Sequence, residues 1–194
     1  MEKRKPLGIV SCGSLKSELE SVLAREGQEA KLYLIAPAPC IDYASMERQL
    51  GYALRQAQQE CQRVLVVIGR CHPHLEQILA PFGAQRVEMD NCFDALLGGR
   101  SREIASEANT FFTTPAWLKQ WRRFRQKAEA WDEVDLRQHF GLYRRIWLLD
   151  SGTTPFDDED VLRLFDDTGV EVEVVPIDLG DLGQLLRPHV STDD

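Results

Sequence analysis

Apolar and polar positions along the chain alternate between two periods, one suited to strands and one to helices. Leu7–Ser11 is a short apolar run, and in Ser14–Glu26 the residues Leu15, Leu19, Val22 and Leu23 recur at helical spacing, with Gly27 as the stop. Lys31–Ala36 predicts a second strand. A loop containing Pro37 and Pro39 follows, then a helix over about Ser45–Cys61 with Met46, Leu50 and Leu54 in step. Val64–Ile68 is continuously apolar, the pattern of a strand inside a parallel sheet with both faces covered. A helix over Pro73–Leu79, a strand around Gln85–Met89 and a short helix over Asn91–Leu97 come next, closed by Gly98 and Gly99.

Beyond them, Arg100–Asn109 reads as a polar connection, and Pro115–Arg144 as helical, with Trp117, Trp121, Phe124 and Ala128 on one stripe. Ile146–Leu149 and Val170–Val175 are strands, and Asp157–Asp166 and Leu179–Leu186 are helices. This succession predicts a doubly wound α/β fold: a mainly parallel sheet of about six strands in a single domain over residues 1–194. The stretch from about 110 to 145 is expected as a helical insertion.

Composition narrows the function classes. The 194 residues carry a net charge of −8, which argues against nucleic acid or an anionic membrane as the general partner. Charge is unevenly spread, with 8 basic and 4 acidic side chains over Pro115–Arg145 but 2 and 13 over Ile146–Asp194. Either the two segments face each other or the basic helix docks an acidic partner. No apolar run reaches the length of a membrane span, and the apolar stretch after Met1–Pro6 is too brief for a signal peptide, so the expected location is cytoplasmic. Five cysteines in such a chain point to reduced thiols rather than a disulfide framework.

Ligands of open α/β sheets bind beyond the carboxyl ends of the strands. Cys12, Cys40, Cys71 and Cys92 each follow one of the first four expected strands, whereas Cys61 falls late on a helix and reads as structural. Four thiols given singly by separate loops suit a zinc or iron centre, an iron–sulfur cluster included, without matching a paired zinc-finger or ferredoxin spacing. Cys12, Cys71 and Cys92 also precede helix starts, where the thiolate is favoured. The competing reading is that cysteine packs at strand ends as a small hydrophobe. His72 and His74 are second-rank ligands. Asp90 and Asp150 are the candidate proton donors or acceptors, with Asp178 weaker, and Gly13 and Gly69 are the backbone positions expected beside a bound cofactor. Neither a dinucleotide fingerprint nor a Walker-type loop is present, so no nucleotide cofactor is expected.

Four stretches carry a family resemblance: Ser11-Cys12-Gly13, Gly69-Arg70-Cys71, Asp90 through Gly99, and Thr110 through Leu118. In these the chain resembles the family called domain of unknown function 1638. In that family's pattern a histidine occupies the position of Cys40, a ligand-for-ligand exchange that favours a metal site. Asp90 stands where the family has a histidine, and His72-Pro73-His74 replaces a glycine-rich segment. Members resemble accessory proteins of methylotrophic and corrinoid-dependent metabolism, which implies methyl transfer, a cobalt or iron cofactor, or a corrinoid or methyltransferase protein partner. The alternatives are a metal-free thiol-reactive or small-molecule-binding module, and an accessory protein docking through the basic helix. Whether the protein is an enzyme stays open at this point.

Overall fold

The computed structural model describes residues 6–36, 43–125 and 131–190. They form mixed α/β structure in two compact units, one comprising Met1–Gly99 and Leu179–Asp194 and the other Arg100–Asp178.

In the first unit β1 (Leu7–Cys12), β2 (Ala30–Ile35), β3 (Arg63–Val67) and β4 (Gln85–Arg86) form a parallel sheet in the order β2-β1-β3-β4. The continuous apolar run becomes β3, paired with β1 through Leu7↔Arg63 to Ser11↔Val67 and with β4 through Leu65↔Gln85. Val10, Val64 and Val66 pack with Leu50, Ala53 and Leu54 of α2 (Tyr43–Glu60) and with Leu75 and Leu79 of α3 (Leu75–Leu79). Ile9, Leu65 and Val67, of the opposite parity, are equally buried, which is why the run shows no alternation. Each such side chain contributes about 1.5–3 kcal/mol of apolar burial.

Sheet order reverses between β1 and β3. β1 passes through α1 (Lys16–Arg25) to β2 on one side, and β2 returns through α2 to β3 on the other. The crevice outside the carboxyl ends of such a pair is where doubly wound sheets bind ligands. The first unit also contains α4 (Asp94–Leu97) and, from the far end of the chain, α9 (Gly180–Val190), whose Leu182 and Leu186 are fully buried.

The second unit departs from expectation. Thr110–Thr113 is a strand, β5, and with β6 (Arg145–Asp150) and β7 (Glu171–Pro176) it builds a separate parallel sheet in the order β5-β6-β7. The described residues therefore hold seven strands in two sheets, not about six in one. The expected helical insertion at 110–145 is the crossover from β5 to β6. The polar stretch before it is a helix, α5 (Ser101–Ala108), ended by Asn109 at φ 46°.

The long helix expected over Pro115–Arg144 is described as α6 (Pro115–Arg125) and α7 (Glu133–Phe140). Thr114 caps the first by accepting from the Trp117 amide (3.3 Å), and Asp132 starts the second through a reciprocal box with Asp135. The aromatic stripe is core: Trp117 stacks on Trp121 at 5.3 Å, and both pack with Phe111, Phe140 and Leu164 of α8 (Asp158–Thr168). The basic face of α6 meets acidic residues of α8, Arg125 with Asp167 at 3.2 Å and Arg122 with Asp160 at 3.7 Å. Part of the charge asymmetry is thus compensated inside this unit. No helix among the described residues is long and apolar enough to cross a membrane.

Candidate functional site

Three of the four cysteines singled out from the sequence meet at the β1/β3 switch point. Cys12 is the last residue of β1 and Cys71 lies four residues beyond β3. Cys92 sits in the loop after β4. The fourth, Cys40, lies outside the described residues. Cys92 is buried and hydrogen-bonds with both Cys12 and Cys71, each of which is partly exposed.

The loops are locked together by backbone contacts. The Arg70 amide donates to the Asp90 carbonyl (2.7 Å), and a tight turn brings the Cys71 amide onto the Gly69 carbonyl (2.7 Å). Gly69 faces the Asn91 backbone so closely that a Cβ there would lie 2.3 Å from the Asn91 Cα. What the structure gives Gly69 is close packing of two cysteine loops. On the other side, the Ser11 hydroxyl donates to the Val67 carbonyl at 2.9 Å and ties the end of β1 to that of β3.

The Cys92 loop has its own scaffold. The Asn91 side chain accepts from the Phe93 and Asp94 amides (2.9 and 3.1 Å), and the buried Asp94 carboxylate accepts from the Asp90 and Asn91 amides (2.9 and 3.3 Å). Charged acceptors make such bonds stronger than neutral ones. The result is a rigid turn that presents Cys92 inward. Asp90 itself points toward Arg70, with Oδ1 3.8 Å from Nε.

Local electrostatics separate the thiols. A hydrogen bond from the Cys92 thiol does most to lower the Cys12 thiol to about 7. Burial works against it, and the Ser14 hydroxyl, 3.1 Å from Cys12 Sγ, adds to the lowering. Gly13 lies in the single helical turn Gly13–Leu15 that carries Ser14 into place. The Cys92 thiol is raised by its hydrogen bonds to Cys12 and Cys71 and by burial. Cys12 thus holds thiolate character and Cys92 keeps its proton. Among the described residues, no group of three or more His, Cys, Asp or Glu side chains is ready arranged to hold a metal ion.

The remaining candidates fall elsewhere. His72 is buried, and its Nδ1 accepts from the His74 amide (3.1 Å), which occupies that nitrogen's lone pair. Tyr43 packs edge-on against it at 5.2 Å. Asp150 ends β6 in the second unit, where it accepts from the Gly152 amide at 2.8 Å and shapes a turn. Asp178 follows β7 in that unit. Cys61 is buried, 3.3 Å from the Tyr33 hydroxyl, and its sulfur stands 3.0 Å from where a Gly8 Cβ would be. Burial, then the bonds to Cys61 and Glu60, raise the Tyr33 phenol.

Sequence reading passed over Ser14, Asp94 and Glu18. Glu18 is a fully buried carboxylate in the first turn of α1. Its signal was available, because position 18 is three after Leu15 and one before Leu19, on the apolar face itself.

The fold and the thiols define a class: a mixed α/β protein with parallel sheets and three cysteines gathered near the β1/β3 switch point of the first. The chain belongs to the family described as protein of unknown function (DUF1638), whose model matches residues 41–186. No curated protein and no solved structure matches it.

Proposed function

We propose that the cluster binds a thiophilic metal, zinc or iron, with Cys12, Cys71 and Cys92 as ligands and Cys40 as the fourth, and that the protein serves as a metal-binding module. The observation that carries this reading is the hydrogen-bonded contact of Cys92 with both neighbouring thiols. Thiolates on a tetrahedral zinc with bonds of about 2.3 Å stand about 3.8 Å apart, close to the separation at which sulfur atoms share hydrogen bonds. The low thiol of Cys12 supplies the first anionic ligand near neutral pH. Metal binding by these thiols releases their protons, and that proton release makes binding tighter at higher pH.

Four thiolates would close a zinc site and make its role structural or metal-handling. An open position, on zinc or on an iron–sulfur centre, would admit a substrate. Methyl transfer to a metal-activated thiol, or service to a corrinoid or methyltransferase protein, is the chemistry such an open centre would support, with Asp90 as the neighbouring proton acceptor. The test is elemental analysis and cobalt(II) titration of reduced protein prepared without oxygen, repeated on Cys12→Ser, Cys40→Ser, Cys71→Ser and Cys92→Ser. One equivalent of metal, weakened by each of the four changes, is the expected result. Protein that stays folded and takes up neither zinc, iron nor cobalt overturns the proposal.

A further inference from the structure

Cys12 and Cys92 differ in access although they are hydrogen-bonding neighbours. Cys12 is partly exposed, while Cys92 is buried. Of the two residues Cys12 is the more open to a small oxidant, and Cys92 is its hydrogen-bonding neighbour. The Ser14 hydroxyl lies 3.1 Å from Cys12 Sγ, where it can donate to a charged sulfur or to an oxygen added there. Cys61 has no comparable access, being held under Tyr33 and against Gly8.

We propose that Cys12 and Cys92 form a peroxide-driven disulfide, so that the site is also a modification site for hydroperoxides. Cys12 sulfur attacks one oxygen of the hydroperoxide and the O–O bond breaks, giving the Cys12 sulfenic acid and water or an alcohol. The Cys92 sulfur then attacks the Cys12 sulfur. The S–S bond forms as the S–O bond breaks, and hydroxide leaves with the Cys92 proton as water. Two thiols lose two electrons and the peroxide gains them. The bridge removes two ligands at once, so oxidation would release a bound ion; only this consequence rests on the metal reading.

The experiment uses reduced, chelator-treated full-length protein exposed to hydrogen peroxide, with peptide mapping by mass spectrometry. A Cys12–Cys92 bridge is expected in the wild type. Cys92→Ser should instead accumulate a Cys12 sulfenic acid that a 1,3-diketone traps, and Cys61→Ser should behave as wild type. No bridge, or a dominant bridge from Cys12 or Cys92 to any other cysteine, overturns the proposal, and neither result bears on metal uptake. The wild-type map needs no variant to fold. In a parallel sample loaded with zinc, release of the ion in step with the bridge is expected, and a bridge formed with the ion retained refutes the release.

Discussion

Replacing Gly69 by alanine puts a methyl group where the Asn91 backbone already stands. The new Cβ would lie 2.3 Å from the Asn91 Cα and 2.8 Å from its N and C, all of them backbone atoms that no side-chain rotation can move aside. To reach ordinary contact near 3.4 Å the two loops must separate by about 1 Å, an overpacking that costs about 1–3 kcal/mol. The same motion stretches the 2.7 Å bond from the Arg70 amide to the Asp90 carbonyl past useful range, for about another 1 kcal/mol. A total near 2–4 kcal/mol follows, together with loosening of the Cys71–Cys92 contact. Urea unfolding measures the first effect, and the alkylation rate of Cys92 in native protein measures the second. The matched control is Gly51→Ala inside α2, where the nearest atom is the mobile end of Arg55 at 3.4 Å; helix propensity there predicts a gain of up to about 1 kcal/mol. If Gly69→Ala unfolds within about 0.5 kcal/mol of wild type and Cys92 stays as protected as before, the loops are not in contact and the reasoning fails.

Thr113 is fully buried at the end of β5 and its hydroxyl has no hydrogen-bond partner among the described residues. Thr113→Val keeps the shape and removes the unpaired group, so the midpoint of urea unfolding should rise by the equivalent of about 1 kcal/mol; a fall would mean that the hydroxyl is satisfied. Cys12, lowered to about 7 when folded, should alkylate in metal-free protein with a half-maximal rate near pH 7, and Ser14→Ala should shift that profile upward. A profile centred on the ordinary thiol value of about 8.5 would refute the stabilisation. Because folding depresses this pKa, its contribution to stability is complete above the unfolded value and is lost as pH falls through about 7.

How much was readable depended on how many faces each element buries. The parallel α/β class and the first four strands were legible because β1 and β3 are short apolar runs between helices with clear stripes. β5 was not, since Thr110–Thr113 is four residues long and buried on both faces, which leaves no alternation to detect. α5 was passed over because only Ser101 is fully buried in it, and the division of the long helix because Asp132-x-x-Asp135 lies inside an unbroken amphipathic pattern. Placement directly after strands singled out Cys12, Cys40, Cys71 and Cys92; three of them gather at the strand ends and Cys40 lies outside the described residues. Their unequal acidities were not legible, since these arise from Ser14 and from which sulfur keeps a proton. Nor was the role of Gly69, which depends on a neighbour 22 positions away.

The first unit borrows its last helix from the far end of the chain. α9 buries Leu182 and Leu186, its leading Leu179 carbonyl accepts from Arg25 at 3.3 Å, and the His189 carbonyl accepts from Arg63. During synthesis at roughly 5–20 residues per second, the stretch carrying the cysteine loops leaves the ribosome several seconds before the helix that completes its core. The contiguous second unit can close in that interval. Newborn protein therefore passes through a period in which the thiol-bearing sheet is made but not sealed, and a chain stalled or cut before Leu179 would carry the cysteines on an unfinished core.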